Sequence, residues 1–389
     1  MPLPVHHFEG SITVKRGEEY IQDYLDFPFE IPARTGALRL RLQYAPLKVG
    51  EISNLITLGL FDPHGFRGNA HRHPSDQQVI LSPETATAGF IPGAIETGDW
   101  LAQSAIQAVM VDAKSCTYSL DIELLPAVEM SPAAQPHLYA PYIAGVALRE
   151  QPVRSHPGWL KGELHSHTIH SDGTLTSQEL VAQALQNRFD FLAVTDHNTN
   201  STLGEIESTA LNTLKNGYFG LLIIPGIELT IFHGHALAIG VERWVDWRTG
   251  YRGWKIEDAA RLTRAMGGIF VIAHPNDAGT PICTGCKWEY TDIDLNLVDA
   301  IEIWNGRWSG SVYKNPKGLQ AWQTMQEGPH RIPATCGADY HQTGEWGKGI
   351  PLPPPLRVHP GCARRGGRGV TPSPLQVHQG GVVRPKGRG

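Results

Sequence analysis

The sequence predicts two architectures in one chain: an all-β, sandwich-like domain over residues 1–125, then an α/β barrel over residues 158–350. Three observations predict it. Short stretches of strict apolar–polar alternation, separated by turn residues and free of long amphipathic helices, fill the first third of the chain. Beyond a Pro-rich stretch, helices alternate with short, continuously apolar strands. Each of those strands runs into a histidine, a carboxylate or an amide, and in an α/β barrel the carboxyl ends of the strands converge on one rim.

In the first region, Ala37–Tyr44 and Tyr118–Leu124 alternate strictly and read as half-buried antiparallel strands. Between them Leu55–Phe61 runs into Asp62-Pro63-His64-Gly65, a turn by composition. His6, His7, His64, His71 and His73 are scattered over turns and read as surface residues. Residues 126–157 are Pro-rich, carry little periodicity, and read as a linker or covering strap.

The second region opens on Trp159–Leu164, a strand pattern leading into His165-Ser166-His167, with His170, Asp172 and Gly173 just beyond. Residues at i and i+2 of a strand share a face, so His165 and His167 can bind one ion together. Ser171-Asp172-Gly173 is turn chemistry that swings Asp172 toward the two imidazoles, with Gly173 free to take positive φ. Thr176-Ser177-Gln178-Glu179 is a capping box opening a helix. Four further strand-and-polar units follow the strand Phe191–Thr195, which ends at Asp196-His197-Asn198. Leu221–Ile224 leads to Glu228, Ile269–Ala273 to His274, Ala300–Trp304 to Asn305, and Ile332–Gly337 to Asp339 and His341.

Net charge of −5 over 389 residues gives no basic footprint, so nucleic acid is not an expected partner. No apolar run approaches the ~20 residues of a membrane span, and no signal-peptide pattern opens the chain; a cytoplasmic location is the expectation. Five cysteines argue against a disulfide framework, and Cys283-Thr284-Gly285-Cys286 reads as a reduced loop pair. Residues 351–389 hold no acidic residue, seven Arg/Lys, eight Gly and eight Pro, a composition that predicts disorder or a non-native tail.

Taken together, His165-Ser166-His167 with Ser171-Asp172-Gly173, Thr195-Asp196-His197-Asn198, Pro225-Gly226-Ile227-Glu228, Gly234-His235, Ala273-His274-Pro275 and Gly337-Ala338-Asp339-Tyr340-His341 resemble the motif series of the PHP (polymerase and histidinol phosphatase) superfamily. Gly59–Pro63, Phe66-Arg67-Gly68 and Gly89–Gly93 are similar to the accessory β-domain of its carbaryl-hydrolase-like (CehA/McbA) branch. The resemblance implies a distorted (β/α)7 barrel with a bi- or trinuclear metal site. It makes His165, His167, Glu228 and Asp339 ligands of one ion, and Glu228, His235 and His274 ligands of a second, with Glu228 bridging. Asp172, His197 and His341 form the third set, and Asp196 is either a ligand or an orienting carboxylate. Members of this branch continue past the Asp-x-His motif into a closing helix and strand; here the Pro/Gly/Arg tail follows, the expectation for a shifted reading frame or a truncation.

Imidazole and carboxylate without thiolate suit two or three divalent ions of Zn, Mn or Fe. Two such ions ~3.5–4 Å apart activate a bridging water and stabilise charge on a substrate oxygen, so hydrolysis is the expected reaction. There is no G-x-S-x-G, P-loop or dinucleotide fingerprint to support other chemistry. The expected substrate is a small-molecule ester: a phosphoester, with Asn305, Arg307 and Lys314 as binding groups, or alternatively a carboxylic ester or carbamate. Glu228 and Asp339 are the expected catalytic residues, with His170 as a proton shuttle. A different class of function, a ligand-binding protein with an inactive barrel, would have lost ligands, and every motif position is filled.

Overall fold

Strand alternation in the first third builds two antiparallel sheets around one apolar core. In the computed structural model the described residues are 3–14, 18–71, 74–110, 115–126, 138–139, 160–206, 221–306, 313–327, 331–346, 356–358, 375–378 and 382–385. The chain divides into two compact units, one of residues 1–143 with 170–172 and 280–284, the other of the remaining residues.

The first unit contains β1 (Val5–Ile12), β2 (Tyr20–Ile31), β3 (Thr35–Ala45), β4 (Lys48–Val49), β5 (Ile52–Ser53) and β6 (Leu55–Asp62). It continues with β7 (Gly65–Ala70), β8 (Asp76–Leu81), β9 (Ala86–Thr87), β10 (Gly98–Met110), β11 (Cys116–Pro126) and β12 (Leu138–Tyr139). One sheet has the order β1-β11-β3-β8-β9-β12, the other β2-β10-β6-β7. The two alternating segments are direct partners, with Leu40 opposite Ile122 and Leu42 opposite Leu120. Those side chains pack with Phe27, Phe29, Leu58, Leu60 and Trp100 from the other sheet into one core, the outcome expected when one face of each sheet is apolar. Arg67 is fixed within this unit by a buried pair with Asp62 at 3.0 Å and by the carbonyls of Ile91, Gly93 and Ala94.

The second unit is mixed α/β, built on a barrel-like sheet. Its strands are β13 (Leu160–Glu163), β14 (Phe191–Val194), β15 (Leu222–Ile231), β16 (Gly234–Ile239), β17 (Ile269–Ile272), β18 (Ala300–Asn305) and β19 (Ala334–Gly337), hydrogen-bonded in that order. Among the described residues its helices include α1 (Ser177–Gln186), α2 (Ile256–Ala265) and α3 (Asn315–Glu327). Thr176 and Glu179 form the capping box expected at the start of α1. Leu164, Phe191, Ala193, Leu237, Val271 and Ala273 form an apolar cluster. Past the ends of β13 and β19, Ser166 and Tyr340 form a parallel bridge, and His167 N–H donates to the Tyr340 carbonyl at 2.8 Å. The segments that follow the first and last of these seven strands therefore meet, although β13 and β19 are not themselves paired.

The sheet departs from uniform βα alternation at β16, which runs antiparallel to both β15 and β17. Only Phe232 and His233 separate β15 from β16, and a two-residue connection makes a hairpin, because a parallel crossover needs a dozen residues or more. Glu228 accordingly lies inside β15 rather than at a strand end. Among the residues of the tail, β20 (Leu356–Val358) pairs antiparallel with β13, and β21 (Leu375–His378) pairs with β22 (Val382–Pro385). The rest of the expectation for 351–389, and that for most of 126–157, lies outside the described residues.

Candidate metal centre

The motif histidines come from five strands: His165 and His167 follow the end of β13, His197 that of β14, His274 that of β17 and His341 that of β19, while His235 lies inside β16. His165 and His167 lie beyond β13 and are fully buried. Gly173 takes no left-handed φ; it is required for close approach, since a Cβ there would lie 2.7 Å from the His167 carbonyl carbon. Asn198, His274 and Asp339 do take left-handed φ, of 58°, 25° and 51°. Such conformations in non-glycine residues persist where surrounding structure over-determines them, typically at functional sites.

Four acceptor atoms converge at the centre. His165 Nε2 lies 3.1 Å from Glu228 Oε2 and 3.2 Å from Asp339 Oδ1, and His167 Nε2 lies 3.3 and 3.1 Å from the same two oxygens. The other nitrogen of His165, Nδ1, is 3.1 Å from Glu302 Oε1. A neutral His165 donating to Glu302 therefore aims an Nε2 lone pair at two carboxylate oxygens. His165 Nε2 and Glu228 Oε2 are buried without a hydrogen-bond partner. Such an arrangement needs a cation or added protons. Four ligands ~2.1 Å from one ion at tetrahedral angles would stand ~3.4 Å apart, a spacing the observed 3.1–3.3 Å approaches. The residues fit a metal ion.

Glu228 divides its two oxygens between two sets of imidazoles. Oε2 faces His165, His167 and His197, the last at 3.0 Å from its Nδ1; Oε1 faces His235 Nδ1 at 3.1 Å and His274 Nε2 at 3.0 Å. Among the described residues, three groups have all their ligand atoms within 4.8 Å of one another: His165, His167, Glu228 and Asp339; His197, Glu228 and His235; and His167, Asp172, His197 and His341. Asp196 belongs to none of them. Its Oδ1 accepts from Thr168 N–H at 2.8 Å, and its Oδ2 accepts from the Thr168 and Thr202 hydroxyls, the geometry of an orienting carboxylate. His274 also lies outside the three groups, although its Nε2 reaches Glu228, and its Nδ1 is 3.2 Å from the Cys286 carbonyl. Cys283 and Cys286 are both disulfide-bonded, where the sequence predicts a reduced pair, and Gly285, at φ 67°, turns the chain between them. His170, also buried and outside the groups, accepts the Gly89 N–H on Nδ1 at 3.2 Å.

The electrostatics follow from burial and convergence. Burial is the largest influence on His165 and opposes its protonation, but Asp339, Glu228 and Glu302 outweigh it and hold the imidazole well above its ordinary value. Burial likewise opposes ionisation of Glu228 and Asp339. The charges of His165 and His197 on Glu228, and of His165 and His341 on Asp339, hold both carboxyls well below the usual range. The directions agree: the imidazoles of His165, His167 and His274 are drawn toward the charged form and both carboxyls toward the ionised form.

Two buried carboxylates behind the centre escape the motif reading. Glu163 Oε1 accepts from the N–H groups of Leu164, His165 and Ala338, each at 2.9 Å, and Oε2 from Trp346 Nε1 at 3.1 Å. Burial pushes its carboxyl up to about 7 against these donors. Glu302 holds His165 from β18. The signal that could have found Glu302 is a carboxylate inside the apolar strand Ala300-Ile301-Glu302-Ile303-Trp304. Asn305, an expected substrate-binding residue, is buried with its side chain occupied: Nδ2 donates to Glu302 Oε2 at 3.0 Å and Oδ1 accepts from Lys314 at 2.8 Å. Lys314 is paired with Asp277 as well. Arg307 lies outside the described residues.

No protein-family model matches the chain. Over 78 residues it is 37% identical to the 5′-3′ exoribonuclease Rnm of Escherichia coli (strain K12), a stretch covering 20% of this chain and 25% of that protein. Over 74 residues it is 36% identical to an uncharacterized protein of Methanocaldococcus jannaschii, covering 18% of this chain and 34% of the other. The chain thus spans a quarter to a third of the length of these curated relatives. Solved structures similar to parts of the chain include three named for PHP-like or metal-dependent phosphoesterases or an amidohydrolase. They include a two-domain protein containing a predicted PHP-like metal-dependent phosphoesterase from Bacteroides vulgatus, at 23% identity and TM-score 0.37 over 48% of this chain and 53% of that one. An amidohydrolase from Chromobacterium violaceum aligns at 20% identity and TM-score 0.34 over 48% of this chain and 89% of that one.

Proposed function

We propose that this chain is a metal-dependent hydrolase of phosphoesters, with two or three divalent ions of the Zn, Mn or Fe(II) type held by the imidazole and carboxylate groups of the centre. The observation that carries the reading is the division of Glu228, whose two oxygens face separate sets of imidazoles at 3.0–3.3 Å. A carboxylate so placed is suited to be shared by two ions. His165, His167 and Asp339 complete one subsite, His235 and His274 the other, and Asp172, His197 and His341 the third. Bound ions of this type supply Lewis acidity and lower the pKa of a water held between them. The chain's own contribution is to fix the ligands. Glu302 and Asp196 hold the ring of His165 and the Thr168 backbone, and the buried setting keeps competing water from the carboxylates. Phosphoester over carbon ester is supported by the local sequence similarity to an exoribonuclease, an enzyme that cleaves phosphodiester bonds.

The test is reconstitution with Mn or Zn, elemental analysis, and hydrolysis of an aryl phosphomonoester, an aryl phosphodiester, a carboxylic ester and an aryl carbamate. At least two equivalents of metal and phosphoester turnover that Glu228→Gln abolishes are expected. Fewer than one equivalent under all loading conditions would overturn the metal reading. Turnover confined to the carboxylic ester or carbamate would move the reaction to carbon, as the carbaryl-hydrolase-like resemblance of the N-terminal stretch suggests.

A further inference from the structure

We infer that Glu302 is a positioning residue serving two metal subsites at once, an inference that rests on the metal-centre reading proposed above. Glu302 sits in β18 with its carboxyl 1% exposed, and three donors from different parts of the sheet converge on it. His165 Nδ1 lies 3.1 Å from Oε1 and 3.3 Å from Oε2, the His274 backbone N–H donates to Oε2 at 3.1 Å, and Asn305 Nδ2 donates to Oε2 at 3.0 Å. The first contact fixes the tautomer of His165, leaving Nε2 as the lone-pair nitrogen aimed at Glu228 and Asp339. The second anchors the backbone of His274 at the left-handed turn, φ 25°, that aims its ring at Glu228 Oε1. One side chain therefore orients a ligand on each side of the shared carboxylate.

The third contact ties Glu302 to a polar chain leading outward. Asn305 passes from Glu302 to Lys314, and Lys314 to Asp277, so the ammonium ends a line of donors that begins at His165. Asn315 closes the segment by exchanging hydrogen bonds with the Asn305 backbone at 3.1 and 3.3 Å. Glu302 cannot turn away from His165 without breaking bonds to His274 and Asn305, which gives the ligand ring one orientation. This geometry also accounts for Asn305: its amide is spent on the carboxylate that serves the metal rather than on a substrate.

The experiment titrates the full chain with Zn against a competing chelator and records the absorption of the Co(II)-loaded protein, for wild type, Glu302→Gln and Glu302→Asp. Loss of a carboxylate that orients ligands typically costs 10–100-fold in metal affinity. Glu302→Gln is expected to weaken the two tightest equivalents together by that factor and to change the Co(II) spectrum. Glu302→Asp, which keeps the charge, is expected to recover part of both. Wild-type affinity and spectrum in Glu302→Gln would overturn the inference while leaving the metal reading intact; a wild-type chain that binds less than one equivalent would overturn both. A role confined to stability would lower the melting temperature of the metal-free protein without moving either readout, and that result also overturns the inference. Should Glu302→Gln fail to fold, Asn305→Ala carries the test, with a smaller loss at both subsites expected and unchanged affinity refuting it.

Discussion

Replacing Gly337 by alanine tests how tightly the residues behind the metal centre are packed. A Cβ at this position would lie 2.5 Å from His165 Cβ, closer still to Glu302 Oε1, and 3.3 Å from Glu163 Oε1. None of the three can give way freely: His165 is fully buried, Glu302 holds three donors, and Glu163 holds four. Overpacking a rigid interior costs ~1–3 kcal/mol, and with three immovable neighbours the upper half of that range applies. For a unit of ~200 residues this corresponds to a melting-temperature loss of ~4–12 °C. Because the displaced groups orient His165, metal affinity should fall in parallel. Gly59→Ala is the control, since the nearest atoms to its Cβ stand at an ordinary 3.6 Å and its backbone is not left-handed; it should move the melting temperature by no more than ~2 °C. Calorimetry and elemental analysis of both variants decide the matter. Wild-type melting and metal content in Gly337→Ala would show that the packing argument is mistaken.

Three further outcomes are expected. Glu228→Gln should reduce bound metal and activity more than His197→Ala, because the shared carboxylate serves both sets of imidazoles; equal losses by elemental analysis and kinetics would count against sharing. The stabilisation conferred by metal should grow as pH rises above ~6.5, the ordinary imidazole value. The raised imidazoles of His165, His167 and His274 stabilise the metal-free fold at low pH and lose that contribution as pH climbs through their folded values. The depressed Glu228 and Asp339 stabilise it above the ordinary carboxylate range and fail only on acidification. Melting with and without chelator across that range would refute the scheme if the difference were flat. Asp196→Asn should lower stability by ~1–3 kcal/mol, since Thr168 and Thr202 lose a charged acceptor, while retaining more metal than Glu228→Gln; complete metal loss would make Asp196 a ligand instead.

How much of this was legible in the sequence depended on whether a feature was local. Period-two alternation located β3 and β11, which pair with each other, and short apolar runs located β14, β17, β18 and β19 within a few residues. The Thr176–Glu179 capping box was readable because both partners lie within one turn. The antiparallel β16 was not read, although the two residues between β15 and β16 leave no room for a crossover helix. Glu163 and Glu302 were missed for a different reason. Their partners lie up to 183 and 137 positions away, and only for Glu302 do the neighbouring residues, an apolar strand on either side, mark the acidic side chain as one that faces inward. The roles of Asn305 and Asp196 were blurred likewise, since amide and carboxylate can bind a substrate, an ion or a neighbour, and only the folded arrangement shows which groups have already claimed them.

The seam where Ser166 meets Tyr340 makes the metal centre a closure as well as a site. His167 and Asp339 flank that seam 172 positions apart in the chain, at 3.1 Å. Bringing such distant segments together carries a loop-closure cost that rises with the logarithm of the separation, and high contact order makes it a slow step. An ion held by both residues would act as a reversible cross-link, drawing its stabilisation from the freedom it removes from the open chain. Unfolding would then have to release the ion before the seam parts, so metal should lengthen the lifetime of the folded unit more than it hastens folding.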